Sequence, residues 1–105
     1  MTRVLYEPKD FHLRIEGHAG SAPKGEDLVC AGISALGFAM LLAAGEDDYN
    51  AEIVTDPGNG IMDVKCRPSG LYGRDHCTVM LETIAGGLEL LADQYPDYIT
   101  FERSE

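Results

Sequence analysis

Residues 11–44, FHLRIEGHAGSAPKGEDLVCAGISALGFAMLLAA, contain one change of hydrophobic period, and that change decides the fold. From Phe11 to Glu16 the residues alternate, with Phe11, Leu13 and Ile15 on one side and His12, Arg14 and Glu16 on the other. That two-residue period is the pattern of a strand with one buried face. From Leu28 to Ala44 no charged residue occurs, and an apolar run of that length is a helix rather than a strand. Gly45 supplies its C-terminal stop. Apolar residues lie all round this helix, which is therefore expected to be largely enclosed.

The flanking sequence supplies partners for both elements. Arg3–Tyr6 reads as a short strand, turning through Glu7-Pro8-Lys9-Asp10 into the Phe11–Gly17 strand. Glu46-Asp47-Asp48-Tyr49 is an exposed acidic link without the ligand spacing of a calcium loop. Ala51–Thr55 and Ile61–Cys66 form a hairpin around Asp56-Pro57-Gly58-Asn59-Gly60, a strong turn signal. In its second strand Met62, Val64 and Cys66 share the inner face, with Asp63 and Lys65 pointing away. After a loop at Arg67–Arg74, a second helix runs from Asp75, its N-cap, to Tyr95, where Pro96 ends it. Cys77, Leu81, Ile84, Leu88, Leu91 and Tyr95 recur at helical spacing as a core stripe. Gly86-Gly87 inside it signals close packing or a bend. Tyr98–Glu102 closes the chain as a strand with Ile99 and Phe101 inward. The expectation is an α+β single domain over residues 1–105, in the order ββαββαβ. One mainly antiparallel or mixed sheet carries two helices on one face.

Composition narrows the function classes. A net charge of −10 disfavours direct nucleic-acid binding and favours a basic partner. Three widely spaced cysteines do not make a disulfide framework, so reduced thiols in a cytoplasmic protein are expected. The N-terminus meets charge at once and has no secretory h-region. The uncharged run at 28–44 sits at the lower limit for a membrane span and reads better as a helix buried on a sheet. No cofactor and no metal is called for: Cys66, His76 and Cys77 lack the paired close spacing of common zinc sites.

The chemistry concentrates around the strand-to-helix passage. With Asp27 as N-cap, Cys30 falls at the third helical position, inside the first turn. The partial positive charge there, and a nearby imidazolium, favour the thiolate that acts as nucleophile. His18 stands twelve residues earlier, on the polar side of the strand as it ends. Asp27 works in both directions, since its charge opposes a thiolate unless a cap or a histidine engages it. Ser34 shares Cys30's helical face, and Gly20 and Gly25 bracket a loop that has the composition of a lid. Against this, an isolated cysteine in an apolar helix is commonly a small buried hydrophobe. The rival pair His76-Cys77 diverges by about 100° on its helix, and His12 reads as a solvated residue.

Gly17-His18-Ala19-Gly20 followed by Asp27-Leu28-Val29-Cys30-Ala31 and Ser34 resembles the signature of the Prp family, the small ribosomal-processing cysteine proteases of bacteria. The resemblance extends to length and element order, although only residues 17–34 are specific. It implies an endopeptidase with Cys30 as nucleophile and His18 as general base, supported by Asp27, Ser34 and Gly17, and a homodimer. The implied substrate is the basic N-terminal extension of a large-subunit ribosomal protein, cut after an aromatic residue. Phage-encoded relatives imply the alternative of a phage structural protein. Ala22-Pro23-Lys24 lies outside the signature and leaves substrate preference open. Two other classes stand beside the protease: a non-catalytic protein-binding module on the same scaffold, and a thiol redox protein. The last is disfavoured because Cys30 has no Cys-x-x-Cys partner.

Overall fold

The structure is a computed structural model describing residues 1–20 and 27–105. Its elements follow the expected order: β1 (Thr2–Glu7), β2 (His12–Glu16), α1 (Leu28–Ala43), β3 (Glu52–Asp56), β4 (Ile61–Lys65), α2 (Gly73–Gln94) and β5 (Ile99–Arg103). The five strands form one mixed sheet in the order β3-β4-β2-β1-β5. The β1/β2, β2/β4 and β3/β4 pairs are antiparallel, and β5 joins β1 in parallel. The two hairpins thus meet through β2 and β4, and the crossover through α2 delivers β5 to the far edge.

Alternation in the strands decides which face the helices cover. Thr2, Val4, Tyr6, Leu13, Ile15, Val64 and Ile99 are buried on one face, against Val29, Ile33 and Met40 of α1 and Cys77, Leu81 and Leu88 of α2. Each valine, leucine, isoleucine or methionine among them contributes about 1.5–3 kcal/mol when fully buried. Two glycines let the layers close. A Cβ at Gly37 would collide with Met62 and reach Ile15, and one at Gly87 would press Leu36 at 3.1 Å. Of the Gly86-Gly87 pair, then, Gly87 is the packing glycine, whereas Gly86 faces open space.

Several boundaries differ from the sequence reading. Phe11 adopts φ 49° and closes a 3₁₀ turn at Pro8–Asp10, so it stands outside the strand that its hydrophobicity suggests. The N-cap of α2 is Tyr72 rather than Asp75, which lies in the first turn. Tyr95, expected in the core stripe, is 40% exposed. The expectation that α1 is enclosed fails on one side: Leu28 and Leu42 are each 84% exposed and Phe38 is 63% exposed. No helix among the described residues is long and apolar enough to cross a membrane.

The uncovered face of the sheet holds the largest correction. His12 is not solvated. Its Nδ1 lies 2.6 Å from Glu7 Oε1 and its Nε2 lies 2.9 Å from Asp63 Oδ2. Asp63, expected to point into solvent, is only 8% exposed and also accepts from Arg14 NH1 at 2.9 Å. β1, β2 and β4 therefore each bring charge to one bridge, with Lys65 opposite His12 in the register. Burial lowers the His12 pKa, but hydrogen bonds to Asp63 and then Glu7 outweigh it and raise the value above 6.5. With the folded value the higher one, the native state holds the extra proton. The stabilisation is complete below about pH 6.5, the unfolded value, and is lost as pH rises through the folded pKa. His12→Gln is expected to remove that decline in the urea midpoint. An identical decline in the variant shows that another group causes it.

Candidate active site

α1 lies antiparallel to β2, because the chain just beyond its C-terminal end returns to the start of that strand. Arg67 N–H donates to the Tyr49 carbonyl at 2.8 Å, and Cys66 N–H donates to that of Phe11 at 2.9 Å. Since Gly37 sits over Ile15 and Met62, levels along the two elements can be compared. Seven helical residues back from Gly37 to Cys30 span about 10 Å. β2 ends at Glu16, one residue beyond Ile15, and His18 follows through Gly17 at that same end. Cys30 and His18 therefore reach the same end of the fold.

Asp27 caps the helix as expected: its Oδ1 accepts from Cys30 N–H at 2.8 Å, while its carbonyl accepts from Ala31 N–H at 3.0 Å. Cys30 is thus fixed in the first turn and is half-buried. The other two thiols have different surroundings. Cys66 is 2% exposed and Cys77 is 0% exposed. Burial pushes the Cys66 thiol up, and it pushes Cys77 up to about 12 with the neighbouring Cys66 adding to the rise. Both stay protonated and act as packing residues. Ser34 is half-buried, one turn after Cys30 on the same flank.

His18 is exposed and is held by a glycine crossing. Gly17 has φ +90°, and a Cβ there would stand 2.5 Å from the Met1 carbonyl oxygen. Its own carbonyl accepts from Thr2 Oγ1 at 3.2 Å. Gly60, in the β3–β4 turn, has φ +65°, and a Cβ there would meet the Gly17 carbonyl oxygen at 2.7 Å and His18 Cε1 at 3.1 Å. The same turn presents the Gly58 carbonyl to His18 Nε2 at 3.4 Å. A proton on Nε2 that is donated to this carbonyl leaves Nδ1 with the basic lone pair. Asp56 shapes the turn by accepting from Asn59 N at 3.4 Å and Asn59 Nδ2 at 2.7 Å.

Among the described residues no hydrogen bond joins His18 to Cys30. Gly20 is exposed with φ +69°. Gly25 and Ala22-Pro23-Lys24 lie outside the described residues, as does most of the lid expected there. The Gly58–Gly60 support of His18 was not read from the sequence, although the glycine-rich turn is its visible trace. His76, the rival base, is exposed and stacks on Tyr72, with ring centroids 5.9 Å apart.

A half-exposed cysteine in the first turn of a capped helix, with the other thiols buried, stands where a thiol can be reactive. The chain belongs to the family of cysteine protease Prp, which matches residues 7–100, and it is a cysteine protease. Similar solved structures carry the same fold. The essential ribosomal processing protease Prp from S. aureus, in complex with a covalently linked product peptide, is 24% identical with a TM-score of 0.83, covering 99% of this chain and 100% of that one. The same protease with a substrate peptide gives 24% identity and a TM-score of 0.75 over 99% and 100%. SMU.848 from Streptococcus mutans gives 22% and 0.72 over 97% and 90%. No curated protein matches the sequence.

Proposed function

We propose that the protein is an endopeptidase that removes a short N-terminal extension from a large-subunit ribosomal protein in the cytoplasm, with Cys30 as nucleophile and His18 as general base. The observation that carries this reading is the contrast among the three thiols: Cys30 is the accessible one and stands at a helix start. Thiolate attack on the peptide carbonyl forms a tetrahedral oxyanion. Breakage of the C–N bond gives a thioester, and His18 returns the proton to the departing amine. Water, deprotonated by His18, then releases the acid and restores the thiol. Asp27 already engages the N–H groups of Cys30 and Ala31. The oxyanion therefore relies on the two preceding helix-start donors, those of Leu28 and Val29. The net charge of −10 suits a basic ribosomal-protein tail as substrate. The test is to incubate the purified protein with a large-subunit ribosomal protein carrying its N-terminal extension and read intact masses. One new N-terminus inside the extension supports the reading, and an uncut precursor overturns it.

The protein is also proposed to work as a homodimer, and the outer face of α1 favours this. Leu28, Ala31, Ala35, Phe38 and Leu42 are exposed along a helix with no charge. Leu28 and Leu42 lie seven residues either side of Ala35, so an antiparallel crossing of two copies there sets Leu28 against its partner's Leu42. Leu42→Glu is expected to give a monomer by analytical ultracentrifugation at micromolar concentration. A wild-type monomer under the same conditions rules the dimer out.

A further inference from the structure

We propose that the open edge of β3 is the docking strand for the substrate, which adds to the sheet as a sixth, extended strand and is thereby led to Cys30. This rests on the protease reading of Cys30. Three observations converge on the edge.

The first is direction. On α1, Gly32 and Leu36 meet α2, through Leu91 and Gly87 respectively, while Val29, Ile33, Gly37 and Met40 are buried beneath the helix. At about 100° per residue, Cys30 and Ser34 fall on the flank opposite α2. The closest helix–strand contacts pair α1 with β4 and α2 with β5. The flank that bears Cys30 therefore overlooks the β3 side of the sheet. The second is continuity. β3 runs without a break into the turn at Pro57–Asn59, and this turn carries the Gly58 carbonyl that meets His18. A chain lying along β3 arrives at both reactive residues.

The third is chemistry. An edge strand leaves alternate N–H and C=O groups unpaired, and among the described residues β3 has β4 on one side and no strand on the other. Edge strands are ordinarily blunted by charge, and Glu52 and Asp56 supply it at the two ends of β3, Glu52 paired with Arg67 at 3.3 Å and Asp56 accepting from Asn59 in the turn. Between them, however, Ile53 is 45% and Val54 is 54% exposed, an apolar centre that protection does not require. The register places Ile53 and Thr55 on the helix-covered face with Val64 and Met62, and Glu52, Val54 and Asp56 on the other. Residues 46–56 carry five acids, Glu46, Asp47, Asp48, Glu52 and Asp56, and no lysine or arginine. The occupant that fits is an extended basic peptide whose apolar side chains alternate onto the Ile53 side.

The test uses the whole chain with Cys30→Ala, so that bound peptide is not consumed, and a synthetic peptide spanning the ribosomal-protein extension. Backbone N-methylation at single peptide positions is expected to weaken binding by tenfold or more at every second residue and to be neutral between, the signature of strand pairing. Alternate amides of β3 are expected to exchange at least tenfold more slowly at saturation. Glu52→Lys is expected to weaken binding roughly fivefold at low salt, the scale of one surface charge pair. A peptide that binds without the alternating pattern and without slowing β3 amides overturns the edge proposal while leaving the protease reading intact. A peptide that neither binds nor is cut by the wild-type protein overturns both.

Discussion

Cys30→Ser is expected to remove peptide cleavage, on the order of 10⁴-fold or more as for loss of an enzyme nucleophile, while the protein stays folded. Cys30 makes a backbone contact to Asp27 that serine retains, and its side chain is only half-buried. The change in stability should therefore stay within about 1 kcal/mol. Substitution of Cys77 should do the reverse. That residue is fully buried, and Cys77→Ser places a hydroxyl in an apolar core, at about 1–3 kcal/mol, with cleavage retained in the folded fraction. Parallel cleavage rates and urea midpoints for the two variants separate the roles. A Cys30→Ser protein that still cuts, or a folded Cys77→Ser protein that does not, assigns the nucleophile to the wrong residue.

The fold was legible where period and punctuation agreed. Alternation at Leu13, Arg14 and Ile15, the Asp56–Gly60 turn and the core stripe through Cys77, Leu81, Ile84 and Leu88 each depend on local geometry, and each appears in the structure. Asp27 as N-cap was legible for the same reason, since a cap is a contact across three residues. Misreadings arose where the deciding partner is remote in sequence. His12 looks like a solvent-facing strand residue until Asp63, fifty-one residues away, meets it. Likewise an apolar run gives no indication of which side of α1 will lack a neighbour, and the exposure of Phe38 and Leu42 is settled by where α2 packs.

The site divides along the same line. Cys30 was placed by the local rule for helix starts, whereas the support of His18 is a tertiary contact between Gly17 and Gly60, forty-three positions apart. A glycine in a turn has an adequate local explanation in its positive φ. That explanation hides the second reason for glycine at Gly60, the absence of room for a Cβ beside the Gly17 carbonyl and the His18 ring.

His18→Ala separates an enzyme from a binding scaffold. His18 is exposed, and the one hydrogen bond its side chain makes among the described residues is the long one to the Gly58 carbonyl. Its loss should thus change stability by no more than about 0.5 kcal/mol. If Nδ1 takes the Cys30 proton, cleavage should fall by roughly 10² to 10⁴-fold, the usual range for a positioned acid–base group. The rate of Cys30 alkylation by iodoacetamide at neutral pH should fall as well, because the base that takes the thiol proton is gone. Gly60→Ala provides a graded control. It keeps the imidazole but forces a methyl group toward the His18 ring, at 3.1 Å from Cε1. Partial loss of cleavage is expected, together with a lowered urea midpoint from the strained positive φ. If His18 is a bystander, both variants cut and alkylate at wild-type rates, and the general base must be sought elsewhere around Cys30.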